Sequence, residues 1–87
     1  MQTRSQINTT NIREHMPIVC SDGGQFAKVD GVEGDYIKVT KDNSLGDGKH
    51  HWFPTSWITR VDKHVHVDRP GKQAMKDWLD EDPAKRS

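Results

Sequence analysis

The histidines are the residues whose spacing best suits chemistry. His64 and His66 stand two positions apart, with valines at the positions between and after them. Side chains of a β-strand alternate between its two faces, so this spacing places both imidazoles on one face. Two such imidazoles are half of a tetrahedral zinc or nickel site. His50 or His51, in a neighbouring polar strand, can supply a third ligand.

A solvent-exposed strand face is the alternative interpretation of the same pattern. Alternation with valine alone makes positions 64 and 66 polar, and histidine is acceptable on any exposed strand face. The chain has neither the C-x-x-C nor the H-E-x-x-H spacing that marks common metal sites. The metal site and the exposed face therefore both stay open, and no other cofactor is expected.

Catalytic chemistry finds little support in the remaining residues. Cys20 is the only cysteine, and it follows an apolar pair, which is typical of a small core residue rather than a nucleophile. The glycine-rich loops after Asp22 and Asp42 lack the spacing of a calcium loop and open no helix that would receive a phosphate. We predict that the protein is not an enzyme and has no catalytic residues.

Composition narrows the classes of partner. Thirteen basic and thirteen acidic residues give a net charge of zero, which disfavours nucleic-acid binding. No apolar run is long enough to span a membrane or to form a signal peptide. A single cysteine fits a reducing compartment. These features predict a cytoplasmic protein that binds neither nucleic acid nor membrane.

Short strands separated by turn residues must position these groups. We predict a helical turn at 11–15 and strands at 16–21, 25–32, 36–41, 50–53 and 64–68, with a single helical turn beginning at Thr55. The spacing of three between apolar residues in 25–32 indicates a bulge. Alternation predicts one shared core that contains Ile18, Val29, Ile37, Val39, Val65 and Val67. The fold class is mainly β, a small antiparallel β-barrel with one C-terminal helix.

The 87 residues form one domain, which we place at 12–80. The polar ends, 1–11 and 81–87, are predicted to be mobile tails.

A C-terminal helix is predicted from Pro70 to about Asp80, because proline is tolerated at a first helical position. Its narrow apolar stripe must lie against the barrel of the same chain or of a partner. The strand at 50–53 carries an aromatic residue on each face, so one of them is exposed, covered by this helix or used at an interface. The candidate interface residues are Trp78, Met75, Leu79 and Trp52.

Two segments carry a resemblance to a known fold. Residues 21–41 (SDGGQFAKVDGVEGDYIKVTK) resemble the opening hairpins of the PRC-barrel-like fold, and residues 51–61 (HWFPTSWITRV) with the Val-His-Val strand at 65–67 resemble its later part. Within that group, the chain is similar to a bacterial family of uncharacterised proteins, classed as a domain of unknown function. The resemblance covers roughly residues 12–78.

The resemblance implies a docking or assembly role rather than catalysis, because the fold serves unrelated tasks in which it acts as an assembly module. Our leading hypothesis is a non-catalytic binding or assembly module that acts through protein–protein contacts with a partner or with itself, as in a homodimer. The alternative is a histidine-based metal-binding protein.

Overall fold

The computed structural model describes residues 11–83. Its strands and helices follow one another in the order β1 (Pro17–Val19), β2 (Gln25–Glu33), β3 (Tyr36–Val39), β4 (His51–Pro54), a 3-10 turn (Thr55–Trp57), β5 (Ile58–Val61), β6 (Val65–Val67) and α1 (Gly71–Asp77). The mainly β class and the single C-terminal helix are as predicted. The predicted tails, 1–11 and 81–87, lie mostly outside the described residues.

The strands form a six-stranded sheet in the order β4-β3-β2-β1-β6-β5. The prediction of a purely antiparallel sheet is wrong, because β1 and β6 run parallel, with Ile18 opposite Val65. This pairing joins strands that are distant in sequence, and no turn residue signals it. The sheet is therefore mixed. Within residues 11–83, its two edge strands are β4 and β5, and no hydrogen-bonded ladder joins them to close a barrel.

The nine-residue strand β2 connects the two halves of the sheet. It pairs with β1 and with β3, and its register against β3 shifts between Val29 and Gly31. This irregularity confirms the bulge predicted from the spacing of three. Bulges raise the local twist of a strand, which lets β2 serve both halves.

The segment before β1 departs from the prediction of a helical turn at 11–15. His15 has a φ of 66°, a left-handed conformation that ends any right-handed helix. Its N–H donates to Val29 O at 2.6 Å, and the N–H of Met16 donates to Arg13 O at 3.2 Å. Residues 12–16 therefore form a tight turn that is held against β2.

The core contains every residue that alternation predicted for it. The six predicted side chains are 0–2% exposed, namely Ile18, Val29, Ile37, Val39, Val65 and Val67. Phe53 is also fully buried, and its ring stacks on that of Trp57 at a centroid distance of 5.3 Å. His51 is the one polar residue with 0% exposure among the described residues.

The C-terminal helix is shorter than predicted, because it ends at Asp77 rather than near Asp80. Trp78 is extended, and Leu79 forms an isolated antiparallel bridge with Trp52. The N–H of Trp52 donates to Leu79 O at 3.1 Å, and the N–H of Leu79 donates to Trp52 O at 2.7 Å. After the helix ends, the chain therefore runs along the outer edge of β4 and pairs with it at Trp52. No helix within residues 11–83 has both the length and the apolar character needed to cross a membrane.

Candidate functional site

The hairpin of β5 and β6 builds the best-defined cluster of potential metal ligands. Asp62 follows β5, and its N–H donates to His64 O at 3.0 Å. Its carboxylate in turn accepts the N–H of His64 at 2.8 Å. Aspartate side chains commonly stabilise turns in this way. The turn therefore holds the Asp62 carboxylate beside the residues that open β6.

Asp62, His64 and His66 meet at the end of this hairpin. His66 Nε2 lies 3.0 Å from Asp62 Oδ1, and His64 Nδ1 lies 3.7 Å from the same oxygen. One ligand atom from each of the three residues lies within 4.8 Å of the others. A tetrahedral ion with bonds of about 2.0–2.1 Å holds its donor atoms about 3.3 Å apart. The separations of these three atoms, at most 4.8 Å, therefore approach those of ligands that share one ion.

The groups around Asp62 favour the ionised form of its carboxylate, which is the form that binds a metal ion. The backbone N–H of His64, followed by the side chain of His66, holds the pKa of Asp62 at about 2, below its usual 3.8. Arg60 adds to this effect, with Nε 3.2 Å from Asp62 Oδ2. The carboxylate is therefore ionised near neutral pH. The His66 side chain is 22% exposed and that of Asp62 46%, so an ion from solvent can reach them.

The two histidines of the predicted pair lie near each other. His64 and His66 lie on one side of the hairpin, with ring centroids 6.0 Å apart and planes at 76°. Asp62 was not predicted as a ligand. Its signal is the spacing of two along Asp62-Lys-His-Val-His66, which continues the alternation backwards into the turn.

His50 and His51 do not join this cluster, contrary to the predicted convergence. They lie at the start of β4, and β3, β2 and β1 stand between that strand and β6 in the sheet. His50 Nδ1 lies 2.9 Å from Val39 O on the adjacent strand. The sequence analysis placed these histidines in a strand beside the histidine pair. Strand order is a property of the whole fold, and here it separates the two strands.

The buried imidazole of His51 contacts oxygen atoms from the preceding loop and from the C-terminal segment. Its Nε2 lies 2.9 Å from Asp47 Oδ2, while its Nδ1 lies 3.2 Å from Asp80 Oδ1 and 3.3 Å from Leu79 O. Both ring nitrogens thus face oxygen atoms. Desolvation raises the pKa of Asp47, but the hydrogen bonds from the Lys49 N–H and from His51 together outweigh it and keep that pKa below its usual value.

The predicted interface residues pack mainly within the chain. Trp78 is buried, with its ring 4.4 Å from that of His51 and 5.9 Å from that of Phe26, measured between centroids. Trp52 is also buried, and its indole N–H donates to Glu33 at 3.1 Å. Met75 and Leu79 are half-buried. The helix therefore covers the sheet of its own chain, which was one of the two predicted possibilities.

A cleft of about 600 Å³ lies beside the ligand cluster. It is lined by Cys20, Ser21, Thr59, Arg60, His66 and Asp68. Cys20 is buried and belongs to the apolar core, and its thiol donates to the Asp22 carboxylate. His66 is thus shared between the wall of the cleft and the cluster of potential ligands.

Comparison with known protein families assigns the chain to one family. Residues 12–75 match the model of a family described as "Uncharacterized protein conserved in bacteria (DUF2171)". The chain belongs to this family. The match contains α1 up to Met75 and all three residues of the ligand cluster. The predicted membership of a bacterial family of unknown function is thereby confirmed. No curated protein and no solved structure matches the chain.

Proposed function

We propose that this domain binds a divalent transition metal, zinc, through Asp62, His64 and His66, and that it does so without catalysis. The observation that carries the proposal is the convergence of three ligand atoms within 4.8 Å. Imidazole nitrogen and carboxylate oxygen are both common zinc ligands. The three residues lie within one hairpin, so the site needs no contribution from a distant part of the chain.

The chemistry of the donors selects the metal. Two imidazoles favour zinc or nickel over magnesium and calcium, which prefer oxygen donors. A pair of histidines with one carboxylate also suits Fe²⁺. We prefer zinc to Fe²⁺ because these side chains are open to solvent, where a redox-inactive ion is stable to air.

We infer in addition that the sheet curls towards a small barrel of the PRC-barrel-like kind. The two ends of the hydrogen-bonded order, β4 and β5, are joined by only the three residues Thr55–Trp57. Such a short connection keeps the end of one strand close to the start of the other. The stacking of Trp57 on Phe53 fills the space at this corner.

Self-association through the predicted interface residues is a weaker proposal. Trp52 and Trp78 are already covered by their own chain. Among the described residues, Leu45 is the only large apolar side chain that is exposed, at 44%. A loop leucine is a small apolar patch for an assembly surface, so the observations favour metal binding over assembly.

Zinc titration of the full chain tests the proposal. We expect one equivalent of zinc to bind, and to raise the melting temperature because it binds the folded state. His64→Gln, His66→Gln and Asp62→Asn should each weaken zinc binding by at least about 10–100-fold, the loss typical of even indirect changes to a metal site. His15→Asn is the matched control, since it removes an exposed imidazole outside the cluster and asparagine tolerates its positive φ.

Two results would contradict the proposal. One is a wild-type protein whose melting temperature and calorimetric trace do not respond to zinc. The other is zinc binding that His15→Asn weakens as much as His66→Gln does. Titration with nickel and, under anaerobic conditions, with Fe²⁺ establishes the order of preference among the metals.

A further inference from the structure

We propose that the zinc site takes a small oxyanion, a carboxylate or a phosphate, as its exchangeable ligand, and that Arg60 forms the second contact to that anion. This inference rests on the proposed zinc binding. It assigns a role to the cleft and to Arg60, neither of which is needed to hold the metal.

The first argument is the open coordination position. Three protein ligands leave a tetrahedral zinc ion with one position for water or another ligand. His66 belongs to the ligand cluster and also lines the cleft of about 600 Å³. A ligand of the ion can therefore occupy the cleft, which has space for a small anion.

The second argument is the behaviour of Arg60 when the metal binds. The Nε of Arg60 lies 3.2 Å from Asp62 Oδ2, and its Nη2 lies 3.4 Å from His66 Nε2. His66 Nε2 is a ligand atom of the loaded site, whereas Asp62 faces both imidazoles with Oδ1 and leaves Oδ2 to Arg60. The Nη2 group of Arg60 then loses its acceptor, and Nε on Asp62 Oδ2 keeps the guanidinium beside the ion. Guanidinium groups bind carboxylate and phosphate oxygens with paired hydrogen bonds.

The third argument is the charge and polarity of the cleft. The dication, the Asp62 carboxylate and the Arg60 guanidinium together leave a positive site, which an anion complements. Asp68 is the acidic residue of the cleft wall, and Arg69 Nε donates to it at 2.7 Å, so its charge is offset. The hydroxyl groups of Ser21 and Thr59 add polar groups to the wall.

Calorimetric titration of the zinc-loaded full chain with inorganic phosphate, and separately with acetate, tests the proposal. We expect saturable binding of one anion per zinc, and little binding to the metal-free protein. The cobalt-loaded protein gives a second measurement, because replacement of water on the ion by an oxyanion changes its visible absorption. The phosphate and acetate titrations show which of the two oxyanions the site prefers.

Arg60→Gln should weaken anion binding by about tenfold or more, in line with the strength of charge-assisted hydrogen bonds. It should not weaken zinc binding, because Arg60 is not a ligand and its positive charge repels the ion. Arg60→Lys should restore part of the anion affinity, since it keeps the charge but not the paired donors. Lys63→Gln is the matched control, because it removes an exposed positive charge between two ligands without touching the cleft.

Three results would overturn the inference: no oxyanion binding by the zinc-loaded protein, equal binding by the metal-free protein, or equal losses in Arg60→Gln and Lys63→Gln. Failure of the zinc site itself is distinguished from these by the zinc titration, which is carried out before any anion is added.

Discussion

The imidazole of His51 lies flat against the indole of Trp78, with ring centroids 4.4 Å apart and planes inclined by 10°. This contact joins β4 to the segment that follows α1. Asp47 from the preceding loop and Asp80 from the C-terminal segment flank the two nitrogens of the same imidazole. His51 therefore connects three parts of the chain that are separate in sequence, and it explains why the C-terminal segment covers its own sheet.

Trp78→Ala should lower the free energy of unfolding by about 3–5 kcal/mol, the usual loss when a buried aromatic side chain is truncated. Trp78 is 5% exposed and packs on both Phe26 and His51, so its truncation removes buried contacts with both rings. Urea denaturation measures the loss. Lys76→Ala, on the exposed side of α1, is the control and should change stability by less than about 0.5 kcal/mol. A small loss of stability combined with conversion of a dimer to a folded monomer would show that Trp78 serves an interface instead.

A double-mutant cycle on His51 and Trp78 measures their stacking directly. His51→Leu alone should destabilise the protein by about 1–3 kcal/mol, because the imidazole loses its hydrogen bond to the charged Asp47 carboxylate and its contact with Leu79 O. The coupling energy between His51→Leu and Trp78→Ala should be about 0.5–1.5 kcal/mol, as for other aromatic pairs. The pair of His50→Leu and Trp78→Ala is the reference cycle. A coupling of zero in the His51 cycle would mean that the stacking does not stabilise the fold.

The acid stability of the β5–β6 hairpin should depend on Asp62. Its pKa in the folded protein is about 2, against a usual 3.8, so the folded state favours the carboxylate. The resulting stabilisation is complete above about pH 5 and is lost as the pH falls through about 2. Asp62→Asn should therefore lower the melting temperature at pH 6 and lose this difference progressively in acid. A difference that is constant across this range would show that the ionised form of Asp62 is not stabilised.

The bridge between Leu79 and Trp52 should protect the edge of β4. Leu79→Pro removes the N–H that donates to Trp52 O at 2.7 Å. We expect a loss of about 1–3 kcal/mol in the free energy of unfolding, the cost of an unsatisfied backbone group. Because open edges pair with other chains, we also expect concentration-dependent aggregation, measured by light scattering. Glu81→Pro, beyond the bridge, is the control, and equal aggregation of both variants would contradict this role.

Local alternation determined much of the fold. Ile37 and Val39 in one strand, and Val65 and Val67 in another, were assigned to the core because neighbouring side chains of a strand point to opposite faces. The same rule brought His64 and His66 to one face. These inferences need only the few residues on either side, and the structure confirms the core assignments.

The tertiary structure decided the features that depend on distant parts of the chain. The parallel pairing of β1 with β6 and the covering of β4 by Leu79 arise from strand order, for which the sequence carries no periodic signal. The same order separated His50 and His51 from the histidine pair. The turn conformation supplied Asp62 as the third potential ligand, because a backbone hydrogen bond turned its carboxylate towards the imidazoles. Spacing along the chain thus predicts which residues share a face, whereas strand order and turn geometry decide which of them meet.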